Sequence, residues 1–208
     1  MLDFTLKVIA AYLLGSLLGS LIIGKFRGGV DIRTLGSGNA GGTNALRTQG
    51  VWFALGVMAV DVGKGWLASA VLPRVSLLES SSTSEWLPIA CAMAVVVGHV
   101  FPLWFGFRGG KGAATLLGAV LGLHALAAVP TMIVWLCVLL LSGYVGLATM
   151  IATASFPIYA ALVARSEPLL VFGIAMTGFV IYTHRSNIAR MLAGTENRSK
   201  RLWLLRPR

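Results

Sequence analysis

Long apolar stretches separated by short polar segments dominate the pattern of this chain. A membrane-spanning helix needs about 20 apolar residues, and four stretches meet that requirement clearly. They cover residues 4–23, 51–72, 86–104 and 168–184. These four stretches predict membrane spans.

The block from 112 to 164 holds no Asp, Glu, Lys or Arg and is too long for two spans of ordinary length. Pro130 and the "SGY" at 142–144 indicate two turns, which predicts helices over 112–128, 130–146 and 147–164. The whole pattern predicts an all-α polytopic integral membrane protein with seven transmembrane helices.

Composition and charge support this prediction and orient the chain. Hydrophobic residues make up 57% of the 208 residues, charged residues make up 12%, and the net charge is +10. With the N-terminus outside and the C-terminus cytoplasmic, thirteen of the seventeen cations fall on the cytoplasmic side, as the positive-inside rule requires. We therefore expect a single membrane-embedded domain, 1–208, with cytoplasmic segments at 24–50, 105–111 and 185–208. The basic charge is then a topological signal, and no nucleic-acid partner is expected.

Three polar clusters gather on the predicted cytoplasmic side. They are "LGSGNAGGTNALR" at 35–47, "GHVFPLWFGFRGGKGAAT" at 98–115 and "THRSNIARMLAGTEN" at 183–197. Glycine-rich turns allow consecutive backbone amides to point into one concavity that binds oxyanions. Arg47, Arg108 and Lys111 add positive charge. The clusters predict a phosphate-binding site, and "FRGGKGAAT" lacks the spacing of an ATP-binding P-loop.

Ionisable residues inside the predicted spans are functional hypotheses by default. Asp61 and Lys64 are three residues apart in "VDVGKGW", so they can pair with each other, or Lys64 can turn towards the polar clusters. His99 and His184 lie beside the clusters, where a histidine acts as a base or as a hydrogen-bond donor to phosphate. No metal-ligand spacing is present, and the two cysteines show no motif.

The three clusters, in this order, closely resemble the motifs of the bacterial membrane acyl-phosphate:glycerol-3-phosphate acyltransferases, the PlsY family. "GSGNAGGTNALR" is similar to the first motif, "GHVFPLWFGFRGGKGAAT" to the second and "HRSNIARMLAGTE" to the third. The resemblance implies transfer of a fatty acyl group from acyl phosphate to the sn-1 hydroxyl of glycerol 3-phosphate, the first step of bacterial phospholipid synthesis. It also implies seven spans in the bacterial inner membrane and an active site facing the cytoplasm. No cofactor, metal or obligate protein partner is expected, and the partners are the two substrates and membrane lipids.

The expected site combines the residues carried over by this resemblance with the charged residues beside the clusters. The expected catalytic residues are Ser37, Arg47, Lys111, His184 and Asn187. The expected substrate-binding residues are Asn39, Gly41, Thr43, Asn44, Lys64, His99, Arg108, Gly109, Gly110, Ser142 and Glu196. Lys111 and Arg47 are expected to hold phosphates, while the base is either His184 or a phosphate oxygen of the substrate.

An organic-phosphate transporter is the alternative from a different functional class, because basic residues and broken helices also line permeation paths. Alternating access places the substrate site near the bilayer midplane. Only Asp61 and Lys64 are expected at that depth, whereas the three polar clusters gather on one side of the membrane. The sequence therefore favours the enzyme.

Overall fold

The structure is a computed structural model that describes residues 1–76, 84–199 and 202–205, and every regular element in these ranges is helical. The α-helices are α1 (Leu2–Gly15), α2 (Gly19–Phe26), α3 (Gly42–Gln49), α4 (Val51–Trp66), α5 (Trp86–Val100), α6 (Ala113–Ser142), α7 (Val145–Tyr159), α8 (Glu167–Thr183) and α9 (Arg185–Leu192). Single turns of 3₁₀-helix lie at Ile32–Thr34, Leu72–Arg74 and Leu103–Phe105, and π-helical turns extend α4 and α7 over Leu67–Val71 and Ala160–Ala164. The all-α prediction is confirmed.

Several of these helices are long and apolar enough to cross a membrane. Within the described ranges, four continuous segments meet that requirement: Val51–Arg74, Trp86–Phe105, Ala113–Ser142 and Val145–Ala164. Two bent pairs, α1 with α2 (48°) and α8 with α9 (55°), raise the number to six if each pair is one span. The structure thus agrees with an integral membrane protein, and the count of seven stays a prediction.

The predicted turn at Pro130 is wrong. Pro130 lies inside α6, whose helical backbone is interrupted instead at His124 (φ −158°, ψ 86°). Proline is tolerated within membrane helices because neighbouring groups satisfy the backbone that it frees, so it is a weak turn signal in so apolar a block. The turn at "SGY" is confirmed, since α6 ends at Ser142 and α7 begins at Val145.

The chain divides into two compact units, residues 1–124 and 125–208. In the first unit, α1 crosses α5 closely, and the crossing depends on small residues. A methyl group at Gly15 would collide with the Val95 carbonyl, and one at Gly98 would collide with the Tyr12 carbonyl. Small residues of this kind let membrane helices approach closely.

A buried ion pair fixes the start of α1 within the first unit. Lys7 is fully buried, and its Nζ lies 2.8 Å from an Asp3 carboxylate oxygen. The same ammonium donates to the Pro73 carbonyl at 3.2 Å. The pair thereby ties the first turns of α1 to the 3₁₀ turn that follows α4.

In the second unit, α7 packs along α8. The Phe156 and Phe172 rings meet edge to face with centroids 5.7 Å apart. Thr177 donates across the helices to the Thr153 carbonyl at 3.2 Å. Aromatic packing and interhelical hydrogen bonds of this kind hold helices together where the surroundings are apolar.

Candidate active site

Asn44 organises the first glycine-rich loop. Its Nδ2 donates to the carbonyls of Ile32 (2.9 Å) and Leu35 (3.0 Å), and its Oδ1 accepts from the Ser37 amide at 2.9 Å. The side chain is buried at 1% exposure. Its polar atoms are bonded to the loop backbone in this conformation, and the expectation that Asn44 binds substrate stays a prediction.

The other predicted residues of this loop remain near its surface. Ser37 and Arg47 are exposed, and Asn39, Gly41 and Thr43 are half-buried. The Gly41 carbonyl accepts from the amides of the first turn of α3, so Gly41 precedes that helix directly. The loop presents hydroxyl, amide and guanidinium groups, which are the donors that a phosphate requires.

A buried hydrogen bond attaches the first loop to α2. The Ser20 hydroxyl donates to the Ala40 carbonyl at 2.7 Å in a fully buried contact. Ala40 also packs with Leu18 and Leu21, and Phe105 of the second motif packs against the same cluster. Burial of Ala40 therefore places the first motif beside the second within the first unit.

Arg33 connects the first and second motifs, although it is not among the residues predicted from the sequence. Its Nη1 donates to the carbonyls of Phe105 (3.2 Å) and Arg108 (2.8 Å). The Asp31 carboxylate holds the same guanidinium, with Nη2 to Oδ2 at 2.7 Å and Nε to Oδ1 at 3.0 Å. The hydrogen bond from Arg33 lowers the pKa of Asp31. An acid two residues before an arginine, in a loop that opens a polar motif, is the signal that could have identified this pair.

Two glycine amides of the second loop are bonded to the protein backbone. The Gly109 amide donates to the Val100 carbonyl and the Gly110 amide to the His99 carbonyl, both at 3.1 Å. The expectation that Gly109 and Gly110 bind substrate stays a prediction. A methyl group at Gly110 would collide with the His99 ring, so glycine is needed here for close approach. The cations of this loop are the exposed Arg108 and the half-buried Lys111.

A buried charged cluster lies behind this loop. Lys64 Nζ is 2.9 Å from Asp61 Oδ1, 2.9 Å from His99 Nδ1, 3.0 Å from the Gly15 carbonyl and 2.7 Å from the Leu17 carbonyl. The predicted pairing of Asp61 with Lys64 is confirmed. An ammonium has three hydrogens and no lone pair, so four such partners occupy it fully. The expectation that Lys64 binds substrate stays a prediction.

His99 shares this structural role. Its Nδ1 lies 2.9 Å from the Lys64 ammonium and 3.5 Å from the Asp61 carboxylate, and Nε2 is the ring atom nearest an added methyl at Gly110. The ring is 2% exposed. The imidazole packs against Gly110 of the second loop, and the expectation that His99 binds substrate stays a prediction.

The third motif lies in the second unit, where His184 stands at the bend between α8 and α9. Its Nδ1 lies 2.8 Å from the Val180 carbonyl. A carbonyl oxygen only accepts, so Nδ1 carries the proton and Nε2 is the basic nitrogen of the neutral ring. This tautomer is the one that a base acting through Nε2 requires.

Asn187 and Glu196 of the third motif form a network. Asn187 Nδ2 donates to Glu196 Oε1 at 2.7 Å, and Arg190 Nε donates to Glu196 Oε2 at 2.6 Å. Ser142 is the last residue of α6 and makes local hydrogen bonds there. Its hydroxyl donates to the Val138 carbonyl at 2.7 Å and accepts from the Tyr144 amide at 3.1 Å. The expectation that Ser142 binds substrate stays a prediction.

Metal binding was not predicted for this chain. In residues 1–76, 84–199 and 202–205, no group of three or more His, Cys, Asp or Glu side chains is arranged to hold a metal ion.

Comparison with known proteins connects these motifs to a family. A family model described as glycerol-3-phosphate acyltransferase matches residues 5–194. A protein of that name from Synechococcus sp. (strain JA-2-3B'a(2-13)) is 40% identical over 207 residues, covering 100% of both chains. The relative from Aquifex aeolicus (strain VF5) is 38% identical over 191 residues, covering 92% of this chain and 96% of its own.

Solved structures agree with the sequence matches. Two crystal structures of PlsY, an integral membrane glycerol 3-phosphate acyltransferase, resemble this chain with a TM-score of 0.83 and 36% identity, covering 94% of each chain. One is the glycerol 3-phosphate form and the other the lysophosphatidic acid form.

Proposed function

This chain belongs to the glycerol-3-phosphate acyltransferase family, and we propose that it transfers a fatty acyl group from acyl phosphate to the sn-1 hydroxyl of glycerol 3-phosphate. The products are 1-acylglycerol 3-phosphate (lysophosphatidic acid) and inorganic phosphate. The hydroxyl oxygen attacks the acyl carbon, the acyl C–O bond to phosphate breaks, and the hydroxyl proton leaves to a base. This reaction would be the first step of bacterial phospholipid synthesis.

The observation that carries the proposal is the juxtaposition of the first two motifs through Arg33. Its hydrogen bonds to the backbone at Phe105 and Arg108 hold the second loop to the turn that precedes the first motif, whose helix α3 bears Arg47. Both substrates carry phosphate, so a site for them needs several cations. Arg47, Arg108 and Lys111 supply these charges in our proposal, with Arg47 and Lys111 holding phosphate groups.

An acyl phosphate is a mixed anhydride with a good leaving group, so neither a covalent enzyme intermediate nor a cofactor is needed. Catalysis then consists of placing the hydroxyl at the acyl carbon and stabilising charge on the departing phosphate. Ser37, Asn39, Gly41 and Thr43 complete the proposed substrate contacts of the first loop.

The base is one of two groups. His184 is one, because its tautomer leaves Nε2 basic, and a phosphate oxygen of the substrate is the other. Asn187 is the further catalytic residue proposed in the third motif, and Glu196, which accepts its hydrogen bond, fixes the Asn187 amide. Retention of the pH–rate profile near neutrality by His184→Gln would exclude the histidine.

We also propose the finer topology: seven crossings of the bacterial inner membrane, with the N-terminus outside and the C-terminus and active site facing the cytoplasm. The interruption of α6 at His124 supports a division of this 30-residue helix. The distribution of cations supports the orientation. We propose no obligate protein partner.

The test uses the purified full chain in detergent or lipid discs, with palmitoyl phosphate and glycerol 3-phosphate as substrates and palmitoyl coenzyme A as a parallel donor. Phosphate release coupled to acylglycerol phosphate formation with the acyl phosphate alone is the expected result. Arg47→Ala should lose this activity, while Lys25→Ala, which removes an exposed cation from the same predicted cytoplasmic segment, should keep it. A folded preparation that uses only the coenzyme A thioester would overturn the proposed donor. One that uses neither would overturn the reaction.

A further inference from the structure

Two side chains of α1 and of the residue that follows it hold the backbone where the second loop begins. The Tyr12 hydroxyl donates to the Phe101 carbonyl at 2.8 Å. The Ser16 hydroxyl accepts from the Leu103 amide at 3.2 Å. Residues four apart lie on the same face of a helix, so Tyr12 and Ser16 reach neighbouring parts of one short stretch of backbone. Neither residue lies in the three polar clusters of the sequence.

The Ser16 hydroxyl is oriented for this contact by α1. Ser16 follows Gly15, the last residue of the helix, and its hydroxyl donates to the Tyr12 carbonyl at 3.0 Å. A hydroxyl has one hydrogen. With that hydrogen on the Tyr12 carbonyl, a lone pair of the oxygen is available to the Leu103 amide. Ser16 is fully buried, so water does not compete for this hydroxyl.

Backbone hydrogen bonds extend the contact into the rest of the second loop. The Phe107 amide donates to the Pro102 carbonyl at 2.9 Å, between the two positions that Tyr12 and Ser16 hold. The Gly109 and Gly110 amides donate to the last two carbonyls of α5. The loop therefore folds back on its own first residues. Phe107 lies in the left-handed region, at φ +58°, which a residue other than glycine occupies only where surrounding contacts hold it.

The second loop thus has two attachments within the first unit. Arg33 holds one side of it through the carbonyls of Phe105 and Arg108. Tyr12 and Ser16 hold the other side, at 101 and 103. The two cations of the loop, Arg108 and Lys111, follow the backbone that these attachments fix.

We propose that Tyr12 and Ser16 are positioning residues for acyl transfer. They hold the backbone at 101–103, and through the folded-back loop they set the places of Arg108 and Lys111. Neither Tyr12 nor Ser16 contacts the substrates in this role. The inference rests on the proposed function, because positioning is measured by turnover, whereas the two contacts are measurable without it.

The experiment compares variants that each remove one hydroxyl. Tyr12→Phe keeps the aromatic ring, and Ser16→Ala keeps a small side chain. Ser69→Ala is the matched control for a buried serine of the same unit, whose hydroxyl donates to the Gly65 carbonyl one turn earlier. Tyr144→Phe is the control for loss of a tyrosine hydroxyl, in the second unit. For each full chain in lipid discs we measure kcat/KM with palmitoyl phosphate and glycerol 3-phosphate, the unfolding midpoint, and hydrogen–deuterium exchange of the backbone amides.

Tyr12→Phe and Ser16→Ala should each lower kcat/KM by roughly 2- to 10-fold, as expected for the loss of one neutral hydrogen bond. Exchange in peptides that cover 101–110 should become faster. In Ser16→Ala the effect should include the Leu103 amide, because this amide loses its acceptor. Exchange in α7 and α8 and the unfolding midpoint should stay close to those of the parent. Both control variants should keep the parental kcat/KM.

Unchanged kcat/KM in both variants of an active parent would overturn the positioning role and leave the proposed function standing. Lower activity with faster exchange throughout the first unit and a lower unfolding midpoint would also overturn it, because a folding defect would then explain the loss. If the folded parent transfers no acyl group, the proposed function fails and the positioning role fails with it.

Discussion

Removal of Arg33 tests the contact on which the arrangement of the first two motifs depends. The guanidinium donates to two backbone carbonyls of the second loop, at 3.2 Å to Phe105 and 2.8 Å to Arg108, while Asp31 holds it from the other side. Arg33→Ala should leave the helices in place and release the loop that carries Lys111. We expect loss of acyl transfer with little change in overall stability.

The magnitude follows from the two lost hydrogen bonds. Bonds from charged donors contribute about 1.5–3 kcal/mol each, and neutral ones about 0.5–1.5 kcal/mol. Since the Arg33 side chain is 26% exposed, water replaces part of each, and the total loss should be about 1–3 kcal/mol. If this energy is lost from the transition state, kcat/KM falls by roughly 5- to 100-fold, at about 1.4 kcal/mol for each factor of ten. The kcat/KM of Arg33→Lys should lie between those of the parent and Arg33→Ala, because a single ammonium cannot reproduce the forked contacts of the guanidinium.

The assay is kcat/KM for glycerol 3-phosphate, measured with whichever acyl donor the parent protein uses, together with the thermal unfolding midpoint of each variant. Lys25→Ala is the matched control, because it removes an exposed cation from the same predicted segment. If Arg33→Ala keeps the kcat/KM of the parent, the contact does not position the loop. Equal losses of activity and stability would show that the residue acts through folding alone.

Three further changes test the polar contacts that surround the site. Lys64→Met should lower the free energy of unfolding by about 3–5 kcal/mol, because it leaves the buried Asp61 carboxylate without its cation. The double variant Lys64→Met with Asp61→Asn should lose less of this free energy in the same unfolding experiment. Equal losses in the single and double variants would contradict the reasoning. Asn44→Ala removes three hydrogen bonds from the first loop. If they contribute about 1–3 kcal/mol to holding the loop in its binding conformation, the KM for glycerol 3-phosphate should rise by roughly 5- to 100-fold. An unchanged KM would show that the loop keeps its shape without these hydrogen bonds. Arg33 lowers the pKa of Asp31 from its usual 3.8, so the carboxylate should stabilise the fold above pH 3.8 and lose this effect as the pH falls through its lowered pKa. The measurement is the difference in unfolding midpoint between the parent and Asp31→Asn as a function of pH. A difference that persists well below the lowered pKa would contradict the assignment.

The apolar pattern was sufficient to predict most of the long helices, because hydrocarbon requires long uninterrupted apolar helices. It failed inside the uncharged block, where Pro130 was expected to end a helix and lies within one. The usual breaking effect of proline reflects an unsatisfied carbonyl and a steric clash, both of which a membrane helix accommodates. The actual interruption, at His124, has no equivalent signal, since histidine has no general tendency to break helices.

The motifs identified candidate segments but did not indicate what each residue within them contacts. Asn39 and Asn44 are the same residue type in "GNAGGTN", and the sequence does not distinguish them. In the structure, Asn39 is half-buried, while Asn44 is buried and bonded to backbone carbonyls. Burial and hydrogen-bond partners separate these roles, and both depend on contacts between distant parts of the chain. The contact of Arg33 with the second loop was missed for the same reason, because the two carbonyls that it reaches lie more than 70 residues away.

The polar residues of the first unit therefore fall into two groups with different chemical capacities. Asn44, Lys64 and His99 have protein partners for their donors or acceptors and are nearly excluded from solvent. Ser37 and Arg47 remain exposed. An occupied and buried group acts by holding others in place, while an exposed donor is able to meet a substrate. Substitutions in the first group should thus change stability or loop position, with activity following from it, and substitutions in the second should change substrate affinity or turnover in a protein that folds as before.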